Sequence, residues 1–325
     1  MKKYLFLIVC ICFMFTGCTS VNSQRNDSAS NNNSKAQKII SVADSNNHTV
    51  KVKRAPQNVV ALSSSFAQLW MLSGGRLKGV SSDAVKERNI GIKKGDAEIV
   101  GTAMKPNLEK ILALHPDLVI LSKDMSSNMQ MTQMLDKAQI PYYICKVETL
   151  DDYLKTLKKF VSITGEEKNY EENGMKIQKK VQKLLSLLPN SNQTAPSALV
   201  LRAFSSGINV LSDDNTACNI LNDIGVTNIA KDNSSLLKNL NIEAIIKENP
   251  DYIFVVTMGS DKNTAVASLK KSLASNPAWN NLKAVKNNNV FMLPKELFEY
   301  KPNNRWGDSY EYLLKIIYPK IYKAK

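Results

Sequence analysis

One phrase of this 325-residue chain occurs twice, with the same residue types at the same spacing. Asn107–Glu109 followed by Pro116–Asp117 returns as Asn241–Glu243 followed by Pro250–Asp251, and every matched position is displaced by 134 residues. In each copy Asn can cap a helix, Glu falls in the first helical turn, and Pro-Asp precedes an apolar run typical of a buried strand. The repeat predicts two lobes of the same construction.

Strand-like and helix-like patterns alternate along the chain. After a predicted hairpin at 39–53, a continuous apolar run at 59–62 precedes a polar turn and a helical pattern at 66–72. Similar apolar runs follow at 118–121 and 142–144. This alternation is typical of a mainly parallel sheet covered by helices on both faces. Because the chain is longer than one core usually supports, we predict an α/β fold with two such lobes.

A helical pattern connects the two halves. Residues 166–188 contain no proline, carry apolar residues at helical spacing, and end before Pro189. At 1.5 Å per residue such a helix would span about 33 Å. We therefore divide the chain into an N-terminal lobe at 38–164, a bridging helix at 165–189 and a C-terminal lobe at 190–325.

The first residues are typical of an export signal. Lys2 and Lys3 precede an apolar run at 5–15, which is too short to span a bilayer. Phe15-Thr16-Gly17-Cys18 resembles a bacterial lipobox, which predicts a signal peptide at 1–17 and a lipidated, flexible tether at 18–37. The predicted location is the extracytoplasmic face of the bacterial cell membrane, held by lipid on Cys18. The alternative is an ordinary signal that is cleaved elsewhere.

Charge and motif content exclude several classes of protein. The formal net charge is +14, but the lysines are scattered along helices without interleaved aromatic residues, so we predict no nucleic-acid partner. Hydrolase, metalloprotease and phosphate-loop motifs are absent, and two histidines offer little for catalysis or zinc binding. We predict no catalytic residue, no protein-held metal and no enzyme activity. Cys145 and Cys218 are interpreted as small apolar core residues.

Several short motifs stand in an order that resembles a known family. They are Arg54–Pro56, Val100–Gly101, His115–Asp117, Asn276–Trp279 and Val290–Leu293, besides the repeated phrase and the central helix. Over 39–319 the chain resembles the periplasmic-binding family that delivers iron siderophores, haem and cobalamin to ABC importers. The resemblance implies a ligand cleft between two Rossmann-like lobes joined by one long helix. It also implies an ABC permease dimer with its ATPase subunits as partner.

The same resemblance implies a role for one glutamate on each lobe. In the family, exposed glutamates pair with arginines of the permease, and Glu109 and Glu243 are the matching residues here. The alternative is that each glutamate only stabilises the positive end of its helix.

Ligands of open α/β lobes lie outside the carboxyl ends of the strands, so the loops there are the candidate binding site. The stretch after Leu293 combines aromatic residues with cations, a mixture that suits a flat or conjugated anionic ligand. Trp306 has an alternative role in packing the last helix onto its lobe. The predicted ligand-binding residues are Ser64, Ser65, Phe66, Met104, Lys123, Arg202, Tyr300, Lys301, Arg305 and Trp306.

The cargo is predicted to be a metal chelate, with no intrinsic cofactor. A ferric siderophore is the first choice, and haem and cobalamin follow. Direct ligation of haem would require Met104 or Tyr300, the two candidate ligands in the predicted cleft loops. The alternative functions are a surface receptor or adhesin on the same scaffold, and an exported enzyme.

Overall fold

A short antiparallel hairpin opens the part of the chain that the structure describes. The computed structural model describes residues 38–93, 95–188, 195–238, 241–259, 262–274 and 276–322. The hairpin pairs β1 (Ile39–Ala43) with β2 (Thr49–Lys53), as the alternating pattern predicts. Its turn is fixed by Asp44, whose buried carboxylate accepts from the backbone N–H groups of Asn46 and His48.

A five-stranded parallel sheet forms the centre of the N-terminal lobe. The strands of this lobe are β3 (Val59–Ala61), β4 (Gly79–Val80), β5 (Glu98–Ile99), β6 (Gly101–Thr102), β7 (Lys105–Pro106), β8 (Leu118–Ser122) and β9 (Tyr142–Cys145). The spatial order of the sheet is β5-β4-β3-β8-β9, and every neighbouring pair is parallel. β6 and β7 form a separate antiparallel hairpin.

Helices connect these strands and cover the sheet. They are α1 (Ser64–Leu72), α2 (Asp83–Lys86), α3 (Leu108–Ala113), α4 (Ser126–Lys137) and α5 (Leu150–Thr164). α5 begins with a capping box between Thr149 and Asp152 and ends at Gly165, whose φ of 84° is left-handed.

A helix connects the two lobes, with a local irregularity. It consists of α6 (Lys168–Tyr170), a π-helical turn (Glu171–Met175) and α7 (Lys176–Leu185). The buried Gly174 lies in the π turn, where Tyr170 and Leu157 approach it closely. The helix is shorter than the predicted 166–188, because it begins at Lys168 after the turn that follows Gly165 and ends at Leu185 before a turn at 186–188.

The C-terminal lobe has a mixed sheet. Its strands are β10 (Ser197–Phe204), β11 (Gly207–Val210), β12 (Thr227–Asn228), β13 (Tyr252–Thr257) and β14 (Val290–Met292). The order is β11-β10-β13-β14, and β12 also pairs with β10. The β10–β11 pair is antiparallel, whereas β12 and β13 run parallel to β10 and β14 runs parallel to β13.

The helices of this lobe include two short 3₁₀ turns. The α-helices are α8 (Thr216–Asp223), α9 (Ser234–Lys238), α10 (Ile242–Glu248), α11 (Lys262–Ala274), α12 (Lys283–Lys286), α13 (Lys295–Phe298) and α14 (Trp306–Ile317). The 3₁₀ turns are Pro277–Asn281 and Asn303–Arg305. Among the helices that the structure describes, none combines the length and the apolar character required to cross a membrane.

Alternate residues of each central strand belong to different cores. In β8, Leu118 and Ile120 join a large core that also contains Phe254 and Val256 of β13. The opposite face of β8 packs in a cluster confined to the N-terminal lobe, and the opposite face of β13 packs in one confined to the C-terminal lobe. The two sheets therefore share one continuous apolar core, which couples the lobes rigidly. The result is the predicted α/β architecture of two lobes joined by a helix.

Candidate functional site

A segment of the C-terminal lobe crosses to the N-terminal lobe at the carboxyl ends of the strands. Residues 295–303, here called the crossing segment, follow β14 and lie against loops after β3, β4, β8 and β9. Parallel sheets bind their ligands at this edge. The crossing segment therefore forms part of the candidate cleft.

Ser65 and Arg88 attach the crossing segment to α1. The Ser65 hydroxyl accepts from the backbone N–H of Lys301 at 3.2 Å and from the Arg88 guanidinium at 2.8 Å. Arg88 also donates to the carbonyl of Lys301 and to Gln68, both at 2.7 Å. Burial lowers the pKa of Arg88 to about 10, although the neighbouring Tyr300 and Asp83 oppose the shift. Its hydrogen bonds occupy the guanidinium with partners from both lobes.

The ring of Tyr300 lies between two cations. The Arg88 guanidinium carbon is 5.1 Å from the ring centroid, and the Lys295 ammonium is 4.7 Å from it. Both distances are in the range of cation–π attraction. The Tyr300 hydroxyl donates to Glu87 at 3.2 Å, and Lys295 forms an ion pair with the same carboxylate at 3.3 Å. Burial raises the pKa of Tyr300, and Lys295 opposes that shift, so this phenol remains neutral and donates a hydrogen bond at neutral pH.

Lys301 and Glu148 form a nearly buried ion pair across the lobes. Their nitrogen and oxygen are 2.6 Å apart, and the side chains are 14% and 10% exposed. Asp124 adds a second carboxylate at 3.6 Å from the Lys301 ammonium, and the Thr216 hydroxyl donates to Glu148. Burial raises the pKa of Glu148, whereas Lys301 favours its charged form. Removal of either partner would leave an uncompensated charge at the lobe interface.

The remaining predicted residues on the cleft side differ in exposure. Arg202 lies in β10 and pairs with Glu299 at 3.0 Å. Ser64 is buried at the start of α1, where its backbone N–H donates to Asp83. Lys123 is exposed after β8, and Met104 is 60% exposed at the turn between β6 and β7. Each of these residues lies in, or follows, a strand whose carboxyl end faces the cleft.

Two predicted residues are buried away from a ligand, and a third is exposed but ion-paired. Phe66 is 1% exposed and Trp306 is 0% exposed, because both rings pack in the shared core. For Trp306 the structure thus favours the alternative role in packing. Arg305 is exposed but pairs with Asp308, which also binds Lys180 of the bridging helix. Asp308 therefore accepts hydrogen bonds from both Arg305 and Lys180.

Several residues of the crossing contacts were missed. Glu87, Arg88, Glu148, Lys295 and Asn303 bridge the lobes but were not predicted. Asn303 has a left-handed φ of 55° and donates to the Ser65 carbonyl and to Gln68. The position of Lys295 and Asn303 in the aromatic and cationic stretch after Leu293 is the one signal that could have identified them. Glu87, Arg88 and Glu148 follow short elements, and their contacts depend on tertiary packing.

The two glutamates of the repeated phrase lie outside this cluster. Glu109 and Glu243 are exposed in the first turns of α3 and α10. Within the described ranges, no ion pair to either carboxylate is formed. Cys18, the predicted lipid-attachment residue, lies outside the described residues. Cys145 and Cys218 are buried and free.

Comparisons with known proteins agree with this architecture. A family profile described as periplasmic binding protein matches residues 59–297. The Fe(3+)-citrate-binding protein YfmC of Bacillus subtilis is 27% identical over 290 residues, which cover 88% of this chain and 86% of YfmC. The uncharacterized ABC transporter substrate-binding lipoprotein YvrC of the same organism is 25% identical over 317 residues and 95% of each chain.

A solved structure shows the same fold. The crystal structure of Staphylococcus aureus IsdE complexed with heme superposes with a TM-score of 0.70 at 18% sequence identity. The match covers 80% of this chain and 98% of that one. The similarity therefore includes both lobes and the helix between them.

Proposed function

Because this chain belongs to the periplasmic binding protein family of siderophore, haem and cobalamin importers, we propose that it captures a ferric siderophore for an ABC importer. The relatives are substrate-binding proteins rather than enzymes, and the chelate is cargo rather than cofactor. The observation that carries the proposal is the crossing segment, which places Tyr300, Lys301 and neighbouring cations at the carboxyl ends of the parallel strands of both lobes.

The rigid connection of the lobes supports a role in binding and delivery. The shared core and the interlobe hydrogen bonds of Arg88 and Lys301 hold both halves of the cleft in fixed positions. A preorganised cleft loses little conformational entropy when it binds a rigid chelate. Such a cleft can recognise cargo by shape before the permease opens it.

Docking to the permease is proposed for Glu109 and Glu243. Each carboxylate is exposed at the start of an equivalent helix, one on each lobe. Two equivalent acids suit a dimeric permease that offers one cation per subunit, because charge pairing fixes orientation and speeds encounter. The ATPase subunits of the importer would then supply the energy for release of the cargo.

The tether and the lipid on Cys18 complete the proposal. The relative YvrC is named a lipoprotein, and the lipobox of this chain is the corresponding signal. Two acyl chains would hold the protein at the outer face of the cell membrane close to its permease.

Haem is the second candidate cargo. Met104 is 60% exposed at the edge of the cleft, and a methionine sulfur is a known axial ligand of haem iron. Tyr300 is a weaker candidate for that role, since its hydroxyl is hydrogen-bonded to Glu87.

The absorption spectrum of protein purified from its native host tests the cargo. A broad ferric charge-transfer band, with a siderophore identified by mass spectrometry, is the expected result. A Soret band would contradict the proposal and identify haem, and a corrin spectrum would identify cobalamin. A control sample, unfolded and refolded without ligand, should lose the band and recover it when the extracted chelate is added.

A further inference from the structure

The cations of the cleft are already neutralised by the protein. Arg202 pairs with Glu299 at 3.0 Å, Lys295 with Glu87 at 3.3 Å, and Lys301 with Glu148 at 2.6 Å. Each of these ammonium or guanidinium groups is at most 28% exposed. A buried cation that is paired in this way attracts an incoming anion only weakly, because the acid cancels its field.

The fourth cation of the cluster, Arg88, is also engaged by the protein, because three of its five N–H donors have protein acceptors. Arg88 donates to Ser65, Gln68 and the carbonyl of Lys301, and Asp83 and Glu296 lie within electrostatic range of it. Together with Asp124 beside Lys301, the ion pairs of the cluster contain four carboxylates. They are Glu87, Asp124, Glu148 and Glu299, and their number equals that of the four cations. The cluster is therefore close to electroneutral.

A polyanionic cargo would meet an energetic obstacle here. It would have to displace carboxylates from their cations or leave its own charge unpaired as the cleft excludes water, and either event is costly. Lys105 and Lys123 are exposed, so water and salt screen their contribution.

Two exposed thioethers follow strands at the cleft side of the lobes. Met104 follows β6 in the N-terminal lobe and is 60% exposed, and Met258 follows β13 in the C-terminal lobe and is 44% exposed. Methionine side chains are flexible and polarizable, and they adapt to irregular apolar surfaces. One such side chain on each lobe suits cargo with an uncharged, partly apolar periphery.

We propose that the cargo is a ferric chelate with little or no net charge, of the tris(hydroxamate) class, rather than a polyanionic carboxylate or catecholate complex. Three monoanionic hydroxamates neutralise Fe³⁺, whereas three dianionic catecholates leave a charge of −3. The inference rests on the proposed function and narrows its ligand. It also replaces the anionic ligand that the sequence led us to expect. The cations were visible in the sequence, whereas the acids that neutralise them are brought close only by tertiary packing.

Fluorescence titration of the full-length protein in detergent tests this selectivity. The probes are ferrichrome as the neutral trihydroxamate complex, ferric enterobactin as the tricatecholate complex of charge −3, and ferric citrate. We expect ferrichrome to bind at least about tenfold more tightly than either anion, with a Kd that is nearly independent of salt between 50 and 500 mM.

The outcomes separate the inference from the proposed function. Tighter binding of an anionic complex, with steep salt dependence, would overturn the inference and leave a ferric-chelate function intact. If none of the three probes binds while haem does, the proposed function fails, and the inference fails with it.

Substitution of one neutralising acid provides an independent measurement. Glu87→Gln frees Lys295 from its carboxylate while keeping the shape of the side chain. The affinity for ferric enterobactin relative to ferrichrome should rise about three- to tenfold. Glu98→Gln, the same chemical change at an exposed residue of β5, is the matched control and should leave that ratio unchanged. An unaltered ratio in Glu87→Gln would overturn the inference.

Discussion

In the N-terminal lobe the side chain of Asn107 caps α3, and in the C-terminal lobe the side chain of Asn241 caps α10. Asn107 accepts from the N–H of Lys110, and Asn241 accepts from those of Glu243 and Ala244. The two helices end in the same way, since His115 and Asn249 both have left-handed backbone, with φ of 45° and 43°. The repeated phrase thus produces the same local structure twice.

The aspartates of the phrase also have equivalent roles. Asp117 accepts from the backbone N–H groups of Gln57 and Asn58 just before β3, each at 3.0 Å. Asp251 accepts from the N–H and hydroxyl of Ser197 at the start of β10, at 2.8 and 3.0 Å. In both lobes the aspartate therefore joins the start of one central strand to the start of the next.

The sheets around these elements differ. β3 ends at Ala61 and leads directly into α1, whereas β10 continues to Phe204 and turns back as β11. A two-residue turn can join only antiparallel strands, so the C-terminal sheet is mixed where the N-terminal sheet is parallel. The comparison shows that duplicated local signals position helices and strand starts, while strand length and the following turn decide the sheet.

Loss of both exposed glutamates should have the largest effect on function. The double variant Glu109→Ala/Glu243→Ala should reduce uptake by at least about tenfold. If each lobe docks through its own glutamate, this variant loses both charge pairs with the permease. Cargo affinity, measured in parallel by titration, should stay unchanged, since both residues lie outside the cleft cluster. Radioactive iron uptake in cells that carry each variant is the measurement.

Single substitutions sharpen this comparison. Glu109→Ala and Glu243→Ala should each produce a partial defect of similar size. Glu248→Ala, at the exposed end of α10, is the matched control and should transport normally. Normal uptake by the double variant would refute the docking role, and a defect from only one glutamate would show that the lobes dock unequally.

The two aspartates should differ in their contribution to stability. Asp251→Asn should lower the free energy of unfolding at pH 7 by about 1–2 kcal/mol, because Asp251 holds Ser197 and pairs with Lys283. Asp117→Asn should cost less, since the Lys53 ammonium is 3.6 Å from the Asp117 carboxylate, which is too far for a hydrogen bond. Urea unfolding measures the stability of both variants. The control is Asp151→Asn, which removes an exposed ion pair with Lys155 on the surface of α5.

The pH dependence gives this prediction a definite sign. Partial burial raises the pKa of Asp251, but hydrogen bonds from Lys283 and Ser197 outweigh burial and hold the pKa below its usual range. Its contribution is therefore complete above the unfolded pKa of about 3.9 and is lost as pH falls through the lower folded value. The cost of Asp251→Asn should shrink below about pH 4. A cost that grows in acid would contradict this assignment.

The left-handed residues should give the smallest effects, with opposite signs. His115→Gly should raise stability by about 0.5 kcal/mol, because glycine adopts positive φ without strain. Asn249→Gly should lower stability by about 0.5–1 kcal/mol, since the Asn249 side chain accepts from the N–H of Lys283 at 2.8 Å. Thermal unfolding of both variants is the measurement. If both variants gained stability or both lost it, neither the strain of positive φ nor the Asn249 hydrogen bond would explain the difference between the two helix ends.

Much of the fold could be predicted because its signals are local. The caps at Asn107 and Asn241, the hairpin at 39–53 and the buried strands at 118 and 252 depend on residues close in sequence. The π turn at Gly174 was not predicted, and it lies where Leu157 of another helix packs closely, which is a tertiary contact. The bounds of lobes and bridging helix assigned from the sequence stay a prediction.

The candidate site was predicted less well. The stretch after Leu293 was identified from its composition, and Tyr300 and Lys301 do bridge to the N-terminal lobe. Composition could not distinguish a ring that packs in the core, such as Trp306, from one held between cations, such as Tyr300. Both are aromatic residues beside arginine or lysine in the sequence, and only their environments differ.

The sequence by itself determined the duplicated architecture and the family, because caps, strand periodicity and the 134-residue repeat act through short-range physics that each segment carries with it. Tertiary structure alone decided the electrostatic character of the cleft. Glu87, Glu148 and Glu299 all lie far from their cations in sequence, and no sequence pattern marks the pairing. Coulomb interactions depend on distance in space, and that distance exists only once the crossing segment has packed against both lobes.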